Sequence, residues 1–283
     1  MPLADVIRGM SNADYHADTT AIGNSGISLM LQDPALYHGR VIRGVFKEKR
    51  KAHLDFGTAF HDLILAPGRL EDRMVLVPPA ALAKDGSRRG KNFVAFAQQH
   101  PGKRLLTPKE PTYHMIDRLL DNEQAFPLIA ANGEHEVAVF WDDPKFGVRR
   151  KCKFDKLVES VVESRYAVDL KTTTSVDGED LSRAIVTFGY ARQAVGYQDG
   201  MEAAFGTRFP FFFIFVQKTP PYSCQVVTLH EKFEALAREE INRGLARYKT
   251  CLESGRWVHP ASASVLEIEP PQYSLRASEW ETD

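Results

Sequence analysis

The chain has 283 residues, 43% of them hydrophobic and 26% charged, with a formal net charge of −1. That length supports one large embellished domain over two equal ones, expected over 1–283 with a helical part at about 1–125 and a β-rich core at about 134–255. A charge near zero excludes a global basic field, so any nucleic-acid site must be a local patch. No run reaches the ~18 apolar residues of a membrane span, and residues 1–14 lack the long apolar stretch of a signal peptide. Cys152, Cys224 and Cys251 are scattered without a CxxC pair. A disulfide framework and a cysteine-ligated zinc or iron–sulfur site are thereby disfavoured, and a cytoplasmic protein with no membrane partner is expected.

In chain order, Ser25 reads as the N-cap of a short helix carrying Ile27, Met30 and Leu31. Asp33 caps a second helix with Pro34 in its first position. A basic run follows (Arg40, Arg43, Lys47, Lys49, Arg50, Lys51), then a third helix over 54–65 that ends before Pro67-Gly68. Residues 78–111 hold five prolines and three glycines (Gly86, Gly90, Gly102) among basic residues including Arg88 and Arg89. They read as a mostly irregular insertion with one short helix near 93–98. A helix is expected over 112–122.

Strands are expected at 134–141, 148–158 and 166–170, where β-branched and aromatic residues concentrate. One long helix over 180–205 follows, then strands at 209–216 and 223–229 and a final helix over 231–253 with apolar residues at helical spacing. Mixed order of this kind predicts an α/β fold, a mixed sheet flanked by helices.

Chemistry enters at Asp155 and at Asp169-Leu170-Lys171. Strand side chains alternate, so Asp169 and Lys171 share a face. If the two strands pair, two carboxylates and an ammonium converge. Carboxylates about 4 Å apart repel by roughly 4 kcal/mol at an effective dielectric near 20, so one is protonated or a cation lies between them. Oxygen ligands select Mg²⁺ or Mn²⁺, which can activate water and neutralise a leaving oxygen in phosphodiester hydrolysis. Taken alone, a D-x-K spacing is more often a surface salt bridge.

Other residues frame that spacing. Gln193 and Tyr197, four apart on the downstream helix, share one face. Gly189, Gly196 and Gly200 on the same helix cost about 1 kcal/mol each relative to alanine, which suggests close approach of a ligand or of the sheet. His61 lies on an upstream helix beside Phe56, Phe60, Leu63 and Ile64, where a structural histidine is the commoner outcome. Arg149, Lys151 and Lys153 have the strand parity of Asp155 and read either as contacts to a phosphate backbone or as solvated strand charges.

The ordered set His61, Asp155, Asp169-x-Lys171, Gln193-x-x-x-Tyr197 resembles the PD-(D/E)xK nuclease superfamily, in its RecB-like branch with the QxxxY motif. Further segments, among them Asp14-Tyr15-His16-Ala17, Ser25-Gly26-Ile27-Ser28, Asp33-Pro34-Ala35-Leu36-Tyr37 and Phe56-Gly57-Thr58-Ala59-Phe60-His61, are similar to RecE-type exonucleases (exonuclease VIII). The likeness spans about 12–257. Lys153-Phe154-Asp155 departs from the superfamily name, which places a proline before the acid.

The resemblance implies a metal site of Asp155 and Asp169 with His61 and Leu170, a catalytic lysine in Lys171, and support from Gln193 and Tyr197. It implies Mg²⁺, with Mn²⁺ substituting, and 5′→3′ digestion of one strand of linear double-stranded DNA by a bacterial or phage-encoded enzyme. The resulting 3′ overhang would pass to a single-strand annealing protein of the RecT type. A ring-shaped homo-oligomer, tetramer favoured, is also implied, with Arg149, Lys151, Lys153, Arg88 and Arg89 as candidate DNA contacts. The alternatives are a RecB-like endonuclease, a single-strand-specific nuclease, or an inactive DNA-binding protein on the same fold.

Overall fold

A computed structural model describes residues 4–46, 60–61, 63–65, 72, 74–159 and 165–259, with isolated positions 262, 265, 267–272 and 274. A six-stranded sheet organises the chain. Its spatial order is β1 (Ala4–Ile7), β4 (Glu134–Asp142), β5 (Arg149–Glu159), β6 (Arg165–Thr173), β7 (Phe211–Gln217) and β8 (Cys224–Val227). All neighbours are antiparallel except the parallel pair β6 and β7. A parallel pair needs a crossover, and two helices supply it, here α7 (Gly178–Thr187) and α8 (Tyr190–Phe205). Strands β2 (Met74–Leu76) and β3 (Arg104–Leu106) form a separate parallel pair.

Helices cover both faces. On the front, α2 (Asn24–Gln32), α7, α8 and α9 (Glu231–Ser254) pack on Val137, Val139, Trp141, Cys152, Phe154, Phe213 and Phe215. On the back, α5 (Pro111–Leu120), α6 (Ala125–Ala130) and the helical residues Phe60, Ile64 and Leu65 enclose Val168, Leu170, Ile214 and Val216. The apolar β7, Phe-Phe-Phe-Ile-Phe-Val-Gln, is buried by both layers, as expected of a central strand. In α9 the buried residues Ala237, Ile241, Gly244, Leu245, Tyr248 and Cys251 recur at three and four. The His230 side chain accepts from Lys232 N–H at its start, and Gly255 takes the left-handed conformation at its end.

The α/β fold with its mixed sheet is the one expected; several details differ. The long helix expected over 180–205 is two helices, broken where Gly189 takes a left-handed φ of 69°. Gly23, not Ser25, occupies the N-cap of α2, whereas Asp33 caps the next helix as expected, accepting from Ala35 N–H at 2.8 Å. Strand β1 and helix α1 (Asn12–Ala17) fall where no element was expected. Residues 78–111 carry a 3₁₀ turn (Pro79–Ala81), α4 (Lys91–Gln99) and β3, so that segment is more regular than its prolines suggest. Lys47, Lys49, Arg50, Lys51 and most of the helix expected over 54–65 lie outside the described residues.

One feature of the sheet positions the site. Strands β5 and β6 pair from Glu159↔Arg165 to Lys156↔Val168 and then part. Continued by one step, that register would set Asp155 opposite Asp169. The edge of β5 that β6 leaves is taken up by Ile22, which donates to Arg149 C=O (2.9 Å) and accepts from Lys151 N–H (3.1 Å). The N-terminus of α2 is thereby held beside the fork.

Candidate active site

At the fork Asp155, Asp169, Lys171 and Gln193 line one cleft of about 860 Å³, together with His61 and Tyr197. His61 Nε2 lies 2.8 Å from Asp155 Oδ2. The Lys171 ammonium pairs with Asp169 Oδ1, and Gln193 Nε2 donates to Asp169 Oδ2. Tyr197, one turn after Gln193, packs edge-on against Phe154 (5.1 Å) and Phe211 (5.6 Å), fixing α8 to strands β5 and β7. Six residues spread over 136 positions of sequence are thus brought together by the two strands, the crossover helix and the upstream helix.

Alternation alone does not aim Asp155 at this cleft. Both Phe154 and Leu157 pack in the front core, although strict alternation would put them on opposite faces. The β4–β5 ladder runs in a single register but skips one pair, Glu136 and Asp155, and Glu136 has a left-handed φ of 56°. Such a local break re-aims a side chain, and here it turns Asp155 towards Asp169. The break falls at Asp155 itself, and Lys153, two residues earlier, lines the same cleft.

The cations expected to contact DNA have other engagements. Lys151 is buried and donates to the carbonyls of Tyr15 and Asp18. Lys153 reaches the cleft but donates to Asn12 Oδ1 at 2.8 Å and pairs with Glu136. Arg149 pairs with Asp5 and Asp142 at the sheet edge. Arg88 bonds Glu110 and the Leu105 carbonyl, and Arg89 bonds Asp85, both away from the cleft lining. Leu170 does line the cleft, but its side chain belongs to the back core, so it presents main chain.

The acids differ in their protonation. Burial raises Asp169 to about 6, with Lys171 opposing and the Asp155 charge adding to the rise. Asp155 is buried too, yet the His61 hydrogen bond and charge hold it below the ordinary carboxylate range. Burial would depress His61, but Asp155 and Asp169 lift it to about 9. Burial would likewise depress Lys171, and the same two carboxylates raise it. The two carboxylates thus hold both His61 and Lys171 towards their charged forms.

This donor set fits a hard divalent cation. Asp169 Oδ1 is buried, and its partner is the Lys171 ammonium, a group that a cation can replace. Among the described residues no three His, Cys, Asp or Glu side chains gather into a ready-made cage. Mg²⁺ does not need one, because it keeps several waters and uses one or two carboxylates. Its entry would displace protons from the cluster, as metal binding to protonated ligands does.

Several lining residues carried no sequence signal. Glu136 is set by a backbone break, and Asn24 arrives through the Ile22 contact. Tyr190, 5.2 Å under the Lys171 ammonium, follows Gly189 directly, and that glycine was the available clue to a helix start.

A mixed sheet between helical layers, with two acids and a lysine where β5 and β6 part, defines a PD-(D/E)xK-type domain. The chain belongs to the family described as a PDDEXK-like domain of unknown function (DUF3799), which matches residues 36–265. A crystal structure from Eubacterium rectale, of a protein provisionally named an exonuclease, is similar in fold. Its TM-score is 0.57 at 14% identity, over 95% of this chain and 98% of that one. A second structure, SSO0001, gives a TM-score of 0.27 at 15% identity over 46% of this chain and 56% of that one, too low to bear on the fold. No curated protein sequence matches the chain. Among the described residues no helix is long and apolar enough to cross a membrane.

Proposed function

We propose that the protein is a divalent-metal-dependent deoxyribonuclease that digests one strand of linear double-stranded DNA from its end, 5′→3′, leaving a 3′ overhang. The observation that carries the nuclease reading is the convergence of Asp155, Asp169, Lys171 and Gln193 at the fork of two strands. Exonuclease action, polarity and the strand-annealing context rest on the resemblance of the ordered motifs to RecE-type enzymes. A homo-oligomeric ring and an annealing partner of the RecT type belong to the same reading.

Asp155 and Asp169 would hold Mg²⁺, with the Leu170 main chain and His61 adjoining. The cation would supply an activated water and a Lewis acid at the phosphate. Lys171 stays protonated beside the carboxylates, where it can orient the attacking water or stabilise the charge of the pentavalent phosphorane. Gln193 fixes one oxygen of Asp169, and Lys171 meets the other. Hydrolysis forms a bond from water oxygen to phosphorus and breaks the bond to the leaving oxygen, which takes up a proton.

Digestion of linear duplexes labelled at the 5′ or the 3′ end, with Mg²⁺ and with excess EDTA, tests metal, reaction and polarity together. Release of the 5′ label first, only with metal, is the expected result. Cleavage of covalently closed circles would replace the exonuclease with an endonuclease. Full activity in EDTA would overturn the metal role.

A further inference from the structure

One wall of the cleft is built differently from the rest. Beyond Lys171 the lining passes to Tyr190 and then to Phe188, at the elbow between α7 and α8. Phe188 is 63% exposed, unusual for a large aromatic that lies inside a polar cleft. Tyr190 is half-buried against Phe213 and Phe215, with ring centroids 5.7 and 5.9 Å away. Phe188 sits 5.6 Å from Tyr190 at an interplanar angle of 36°. The inner ring is thus anchored in the core, and the outer one is offered to solvent.

The elbow gives Phe188 a fixed place. Phe188 closes α7, donating its N–H to the Ala184 carbonyl at 2.9 Å, and Gly189 N–H bonds the Val186 carbonyl at 3.2 Å. Gly189 has a φ of 69°, and a Cβ there would meet the Arg192 guanidinium at 2.1 Å, so the turn depends on glycine. One turn into α8, Gln193 holds Asp169. The exposed ring and the catalytic carboxylate are therefore set by one short stretch of chain. Arg183, paired with Asp180 at 2.7 Å on its own helix, and Lys218 line the same cleft and bring positive charge to it.

Exposing a phenylalanine forgoes the stabilisation that burying its ring would bring. A fixed aromatic face one ring beyond the catalytic lysine, in a cleft that also holds cations, suits a flat partner that carries phosphate. We propose that Phe188 is a stacking platform for the nucleobase of a nucleotide next to the scissile phosphodiester, with Arg183 and Lys218 meeting its backbone. Base–aromatic stacking tolerates every base, so the platform would grip DNA without reading its sequence. The inference rests on the nuclease reading and adds to it the way the strand is held.

The test couples a protein change to a missing base. Binding and KM are measured on linear duplexes in which each of the first several nucleotides is in turn made abasic, for the wild type, Phe188→Ala and Phe188→Trp. In the wild type one abasic position should weaken binding about 5- to 100-fold, the range of a lost stack. Phe188→Ala should lose a similar factor on intact DNA and become indifferent to that abasic position, and Phe188→Trp should recover both. Unchanged KM in Phe188→Ala with the full abasic penalty retained would overturn the proposal. So would a change in oligomeric mass with no change in coupling, which would make the ring a subunit contact. Failure of the wild type to cut intact linear DNA would sink the nuclease reading itself, separately from this one.

Discussion

Two lysines on neighbouring strands, Lys171 on β6 and Lys156 on β5, are held at opposite faces of the sheet. Lys171 stands among carboxylates that raise its affinity for the proton. Lys156 is buried on the back face, where its ammonium donates to the Ile129 carbonyl, and burial lowers its pKa to about 8. Burial is common to both; the neighbours decide the charge. On the proposed reading the front face uses its buried charge for chemistry, whereas the back face carries a charge that costs stability.

The largest expected effect lies on the front. Asp169→Asn should lower cleavage by about 10³-fold or more, since a lost metal ligand removes several kcal/mol of transition-state stabilisation. DNA binding, which depends on phosphate contacts, should stay near the wild type in a gel-shift assay. Lys171→Met should also abolish most turnover. It should further lower unfolding free energy by about 3 kcal/mol in urea, because one partner of a buried ion pair is removed. Retained stability in Lys171→Met would show that the two faces do not differ in how their charge is compensated.

The apolar part of the front has little slack either. A Cβ at Gly200 would lie 2.6 Å from Cys152 Sγ, whereas at Gly196 it would meet only Arg150 Nη2, at 3.4 Å. Gly200→Ala should therefore cost about 1–3 kcal/mol by overpacking. Gly196→Ala should be neutral or gain up to about 1 kcal/mol from helix propensity. Equal thermal melting shifts for the two would refute a packing origin for Gly200.

On the back, Lys156→Met should raise stability at pH 7 by about 1–2 kcal/mol. Its sign follows from linkage. The folded-state pKa of about 8 lies below the unfolded value near 10.4, so the unfolded chain binds more protons between them. Wild-type stability should rise over that window, and the advantage of Lys156→Met should shrink as it does. A flat wild-type profile from pH 8 to 10 in denaturant titrations would contradict it.

The central strands, the last helix and the group of Asp155, Asp169, Lys171 and Gln193 were legible because burial imposes a composition and a period on them. Elements defined by a partner were not. Strand β1 is four residues with no strong period of their own, placed by their ladder with β4 and by packing of Ala4 and Val6 in the front core. The aim of Asp155 depends on a skipped pair across from Glu136, a residue with no turn chemistry of its own. Helical periodicity runs through both α7 and α8, which hid the break, although Phe188-Gly189-Tyr190 carried the glycine that ends helices.

The parting of β5 and β6 after Lys156↔Val168 also has a mechanical meaning. A seam opens most readily where its stitching stops, so the amides of β6 beyond Val168 that face β5 should exchange with solvent far faster than those before it. A ligand that joins Asp155 to Asp169 would stitch the seam across the gap. Occupancy should therefore appear first as slowed deuterium uptake at 169–171, in a region too small to dominate the melting of the whole sheet.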